Sequence, residues 1–236
     1  MKKIFFTLLA LVGTMSMNAQ ILKVMKGDQV VATYTAEEAD NFVFEEPPIG
    51  QGKAEATGIG NVKWIQLWEN GPKFAEYNVG ATSATKYGGY YAWGGSQDKV
   101  DDHNTGSAAL SGDSDTATKV WGDKWRMTTQ AEFQALLNNC TVEWIDGSEK
   151  QYNNTDVKGI LCTGKGDYSS NSVFLPAAGY YDKGIGIAAQ GNYGEYWSST
   201  AYNSANVYYL CFDSGSHSVS HGSGRSRGYS VRAVLK

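Results

Sequence analysis

The chain has 236 residues, of which 42% are hydrophobic, 13% aromatic and only 19% charged, with a formal net charge of −4. Seven Trp, fifteen Tyr and eight Phe exclude a solvated, disordered chain. An acidic balance with only four Arg excludes a basic nucleic-acid module, and the composition matches neither collagen, coiled coil nor a polytopic membrane protein.

Residues Met1–Gln20 read as a secretory signal peptide: Lys2 and Lys3, an apolar run from Ile4 to Val12, then small residues ending at Ala19. The run is too short to span a bilayer. Cleavage is expected after Ala19, and no Cys lies near it for a lipoprotein anchor. The expected destination is the periplasm, the cell surface or the medium, and no integral membrane protein is expected. Three cysteines, Cys140, Cys162 and Cys211, allow at most one internal disulfide. Cys162 and Cys211 lie in apolar runs, where a free thiol packs as a small hydrophobe.

Ile21–Met25 and Val30–Tyr34 flank Gly27-Asp28, a hairpin pattern, and Phe42–Phe44 reads as a third strand. Residues 20–46 form a small β segment, too short for a core of its own. Residues 47–60, with Pro47, Pro48 and several Gly, read as a linker. Residues 61–236 read as one domain. Its strand candidates are Val62–Trp68, Tyr90–Trp93, Gly159–Thr163, Val173–Leu175, Glu195–Ser199, Val207–Phe212, His217–His221 and Tyr229–Leu235. Gly94–Thr118 reads as a long polar loop, a class that is often functional or mobile. One helix is clear: Thr129 and Glu132 make a capping box, followed by an apolar face of Phe133, Leu136, Leu137 and Cys140. The expected class is α+β, with many short antiparallel strands and one helix.

Three stretches carry a resemblance: Trp125–Phe133, Gly191–Ser198 and Gly228–Arg232. In this order they resemble signatures of the formylglycine-generating-enzyme branch of the C-type-lectin fold. Tyr77–Ala81, Tyr91–Gly94, Phe174–Gly179, Tyr196–Ser199 and Ser230–Arg232 are similar to hallmarks of the secreted Fibrobacter succinogenes major paralogous domain family. The resemblance implies a C-type-lectin-like domain over roughly 61–236. It assigns Trp197, Leu210, Phe212, Arg225, Gly228 and Val231 to the scaffold. Some relatives of this type, from Bacteroides-like bacteria, are variable proteins of diversity-generating retroelements, which mutate adenines near the 3′ end of the gene. The late cysteine pair that binds copper in formylglycine generation is absent after Phe212, so the resemblance implies fold and not catalysis.

Adenine mutagenesis acting on Asn codons cannot produce Lys, Glu, Gln, Met or Trp. Ala201–Tyr229 contains none of the five. They make up 48 of the other 207 residues, a rate that puts about seven in a stretch of this length. An undiversified Ser-rich strand pair would lack them too, so both origins stay open. Tyr, Ser, Gly and Asn fill 17 of these 29 positions, a mixture resembling an antibody paratope. The candidate ligand contacts are Tyr202, Ser204, Asn206, Ser216, His217, Ser218, Ser220, His221, Ser223, Ser226 and Arg227.

His217 and His221 stand about 13 Å apart along a strand, too far to share a metal. The acidic loop with Asp98, Asp101, Asp102 and His103 lacks EF-hand spacing. No metal or cofactor is expected, nor an enzyme. The expected function is binding of an external protein or glycan through residues 201–229. The alternative is a surface-assembly protein whose N-terminal strands dock to a larger complex.

Overall fold

The computed structural model describes residues 21–26, 29–35, 49–222 and 224–236. The proposed signal peptide and the candidate strand at Phe42–Phe44 lie outside them. The chain divides into two compact units, residues 1–46 and 47–236. In the first, β1 (Ile21–Lys26) pairs antiparallel with β2 (Gln29–Thr35), as the hairpin pattern requires, with a register shift at Val24/Met25.

The second unit begins earlier than the linker reading allows. Gln51–Ala56 is a strand, β3, paired residue for residue with β4 (Gly60–Gln66). A five-stranded sheet follows the order β3, β4, β5 (Lys73–Ala75), β15 (Ala233–Leu235) and β6 (Trp125–Met127). A second sheet is β7 (Thr141–Ile145), β8 (Gly159–Thr163) and β9 (Ser172–Pro176). A two-stranded ribbon joins β10 (Tyr180–Asp182) to β11 (Gly186–Ala188). The last sheet is β12 (Gly194–Ala201), β13 (Val207–Phe212) and β14 (His217–Gly222).

Two helices complete the described residues. The short α1 (Thr116–Trp121) starts on Asp115, whose buried carboxylate accepts from the backbone of Thr118 and Met127. The longer α2 (Gln130–Asn139) starts on the expected capping box, with Thr129 and Glu132 bonded reciprocally. Phe133 and Leu136 turn its apolar face inward.

The α+β, C-type-lectin-like expectation is corrected. Among the described residues, fifteen strands in five small antiparallel sheets stand against a single helix longer than six residues, so the fold is mostly β. Glycines and turn residues cut the chain into strands of three to eight residues, and among the described residues helical periodicity persists beyond two turns only in α2. The motifs behind the resemblance perform local structural tasks, and no lectin fold is shown. Thr129 caps a helix. Gly194 lets the Phe212 ring lie against the backbone, since an added Cβ would sit 2.0 Å from it. Arg232, fully buried, bonds the Asn78 side chain and the carbonyls of Ala75, Glu76 and Phe174.

Two cores lie on either side of β12, β13 and β15, because successive side chains of a strand point to opposite faces. Trp197, Val207 and Ala233 enter the first, with Trp93, Trp121 and Trp125. Tyr196, Leu210, Phe212 and Val234 enter the second, with Phe133, Leu136 and Leu175. The Gly94–Thr118 segment is tied down at several points. Arg225 donates to the carbonyls of Asn104, Gly106 and Asn203 and lies 4.4 Å from the Trp93 ring centroid. The segment also contains a 3₁₀ turn, Gly112–Ser114, before α1.

Candidate functional site

The sheet β12–β13–β14 holds most of the window. Val207–Phe212 is rich in aromatic and branched residues, which suit a pleated surface. Its turn to β14 is closed by Asp213, whose Oδ1 accepts from Gly215 N and Ser216 N, both at 2.8 Å. The preceding turn is closed likewise by Asn203, which accepts from Ala205 N and Asn206 N.

The register sorts the side chains into two faces. Tyr208 pairs with His221, Leu210 with Val219 and Phe212 with His217. This face carries the second core, and α2 packs against it. Tyr209 pairs with Ser220 and with Trp197, and Cys211 with Ser218 and with Glu195. This opposite face opens to solvent where the first core ends: Glu195, Tyr209, Cys211 and Ser220 are half-buried and Ser218 is exposed.

The open face is backed by rings. Trp197 is fully buried and stacks on Tyr229 with centroids 4.0 Å apart, and Tyr209 lies 5.5 Å from Tyr229. Such pairs add roughly 0.5–1.5 kcal/mol beyond their burial. The Tyr229 hydroxyl joins Glu195 to Arg227 through side-chain hydrogen bonds. Arg227 also lies 5.2 Å from the Tyr180 ring and 3.8 Å from Asp182 Oδ2. Glu195 Oε2 is buried without a hydrogen-bond partner. Burial holds the Glu195 carboxyl above its usual range, partly opposed by Tyr229 and Arg227. Cys211 Sγ is 3.3 Å from Ser218 Oγ. The arrangement offers aromatic area, hydroxyls, a thiol and one guanidinium on a rigid support. At the Asp213 turn lies a shallow groove lined by Trp144, Lys158, Asn192, Tyr193 and Asp213 among others.

The candidate contacts therefore do not form one patch. Ser218, Ser220 and Arg227 belong to the open face. His221 lies on the helix-side face and stacks on Tyr202, centroids 3.8 Å apart, with Tyr208 edge-on to both. His217 shares that face at the far end of β14, beside Ser216 in the turn. Ser204 and Asn206 lie in the turn closed by Asn203, and Ser226 is exposed beside Arg227. Ser223 lies outside the described residues. Glu195, Tyr209, Cys211, Tyr229 and Tyr180 were not among the candidates. The alternation of Val207, Tyr209 and Cys211 was visible in the sequence, but which face of the strand opens depends on what packs against it.

All three cysteines are free thiols, with Cys140 and Cys162 buried. Among the described residues no three His, Cys, Asp or Glu gather as a metal-holding cluster, and no helix is long and apolar enough to cross a membrane. Trp197, Leu210, Phe212, Arg225, Gly228 and Val231 are all buried.

Residues 148–234 match the model of a family described as a domain of unknown function, DUF8237. The match contains β12, β13 and β14 whole. No curated protein matches the chain, and no solved structure matches it.

Proposed function

We propose that this chain is an exported binding protein that recognises an external protein or glycan through its C-terminal sheet. The observation that carries the reading is the open face of β12–β13–β14: Tyr209, Ser218, Ser220, Cys211 and Arg227 displayed over the buried Trp197–Tyr229 stack. Tyr supplies rigid amphipathic contact area and Ser adaptable hydrogen bonds. Tyr and Arg are also the residues that most often dominate binding energy. Recognition is non-covalent, and the backing rings keep the display fixed while its exposed side chains differ. We include in the proposal that these side chains are diversified through adenine mutagenesis of the window, which the absence of Lys, Glu, Gln, Met and Trp from Ala201–Tyr229 supports.

The test is an array of glycans and of cell-surface proteins probed with the wild-type chain, Tyr209→Ala, Arg227→Ala and Lys53→Ala. Lys53 lies on β3, in another sheet. The expected result is a set of spots bound by wild type and Lys53→Ala and weakened at least tenfold in the other two variants, all four having matching circular dichroism. Spots bound equally by every variant would place recognition elsewhere.

A further inference from the structure

The outer edge of β14 bears on how copies of this chain meet. Hydrogen bonding fixes which of its backbone groups point outward. Trp197 N donates to Ser230 O, and Ser230 N donates to Glu195 O, so Glu195 and Trp197 direct their backbone groups away from β13. Alternation then directs Gly194 and Tyr196 toward their partners Phe212 and Leu210. Tyr209 and Cys211 consequently face β14, where Ser220 and Ser218 oppose them. The N–H and C=O groups of His217, Val219 and His221 are left pointing out of the sheet. Among the described residues β14 pairs with β13 alone.

This edge lacks the usual protections. Exposed edges are normally blunted by charge, proline or a bulge. In the sheets of three or more strands, the other outer strands β3, β6, β7, β9 and β12 carry Lys53 and Glu55, Arg126, Glu143, Pro176 and Glu195. β14 has neither a formally charged residue nor a proline, and its pairing with β13 runs without a register shift. Its sequence is also symmetric: His217-Ser218-Val219-Ser220-His221 reads the same in both directions. An antiparallel partner of the same sequence, centred on Val219, sets Val219 opposite Val219, Ser218 opposite Ser220 and His217 opposite His221. The three outward-facing residues are then those that meet in hydrogen-bonded pairs. A two-fold interface uses the same patch on both copies, with residue i opposite j and j opposite i, and in this register every opposed pair is formally uncharged and matched in size.

We propose that β14 pairs antiparallel with β14 of a second copy of this chain, about a two-fold axis midway between the two Val219 residues. About six backbone hydrogen bonds join the two strands and extend the sheet continuously across both copies. The axis stands perpendicular to the sheet, so both open faces lie on the same side. A ligand with repeated epitopes is then held at two points, and the second attachment is effectively intramolecular.

The test is sedimentation equilibrium of the full chain, with amide exchange at high and low protein concentration. His217→Lys/His221→Lys places like charges opposite one another in both outer pairs. His217→Asp/His221→Lys places opposite charges there, in this register only. The expected result is a dimer for wild type, at least tenfold weaker association for the Lys/Lys variant, and association restored in the Asp/Lys variant. The amides of His217, Val219 and His221 should exchange slowly only in the dimer. Matching circular dichroism of the variants confirms that each is folded. A wild type that stays monomeric overturns the proposal, as do these amides being protected in the monomer, which would mean that another segment of the same chain covers the edge. Equal dimerisation of both variants, or equal loss in both, also overturns it, since the register would then be irrelevant.

Discussion

Glu195 combines two properties that single residues rarely share: a carboxylate oxygen buried without a partner and a place beside the open face. Burial raises its carboxyl above the ordinary 4.5, with the Tyr229 hydrogen bond and Arg227 acting in the opposite sense. A group whose pKa is raised on folding contributes stability below its unfolded value, and that stability is lost as pH rises through the folded value. The contribution of Glu195 to wild-type stability should therefore fall from about pH 4.5 upward as this proton is lost. Asp115, raised by its own burial, acts in the same sense, so the informative quantity is the difference between wild type and variant. Glu195→Gln should melt with wild type at pH 4 and above it at pH 7, followed by circular dichroism. A constant offset between the two melting curves at every pH would show that Glu195 does not titrate in this way.

At the scale of elements, α2 holds the helix-side face of the sheet in place, and its start is a single interlocked group. Thr129 Oγ1 accepts from Glu132 N at 3.2 Å, the Glu132 carboxylate accepts from Thr129 N at 2.9 Å, and Arg126 pairs with the same carboxylate at 2.6 Å. Thr129→Ala should cost about 1 kcal/mol, the ordinary loss for a helix cap. That corresponds to a melting temperature lower by roughly 2–4 °C for a domain of this size. An unchanged melting temperature would mean that water replaces the cap at no cost. The capping box was legible in the sequence because both partners lie within one turn. So were the hairpin of β1 and β2 and the strands β8 and β13, whose apolar patterns are continuous. What escaped depends on distant partners. Gln51–Ala56 reads as linker because its small and polar residues become a strand only beside β4. The six residues of α1 show too little periodicity, and Asp115 is identified as their cap only once its carboxylate is seen to reach the Met127 backbone as well. The candidate contacts were legible as residue types but not as a patch. The division of Ser218 and Ser220 from His217 and His221 follows from alternation, whereas the solvent-facing side is set by where α2 and the first core lie.

For the whole molecule, the decisive question is whether the pattern of the window follows the fold. A diversified protein must confine change to positions that the scaffold does not use, since surface substitutions typically stay within about 0.5 kcal/mol while core changes cost several times more. The structure separates the two sets. Val207, Leu210, Phe212, Arg225 and Tyr229 are buried, whereas Tyr202, Ser204, Ser216, Ser218, Ser226 and Arg227 are exposed and take no part in the His217 and His221 pairs of the proposed dimer edge. Resequencing the gene across many cells of one population, with its flanking DNA, should find substitutions at the exposed set and constancy at the buried set. Each substitution should be reachable from an adenine-bearing template codon, with a template repeat and a reverse-transcriptase gene nearby. Different clones would then bind different spots on the same array while melting at similar temperatures. An invariant window without those neighbours would remove diversification and leave a single-specificity binding face, for which one ligand should account for all bound spots. Variation falling equally on buried and exposed positions would contradict both, because a face supported by the Trp197–Tyr229 stack cannot stay fixed while its supports change.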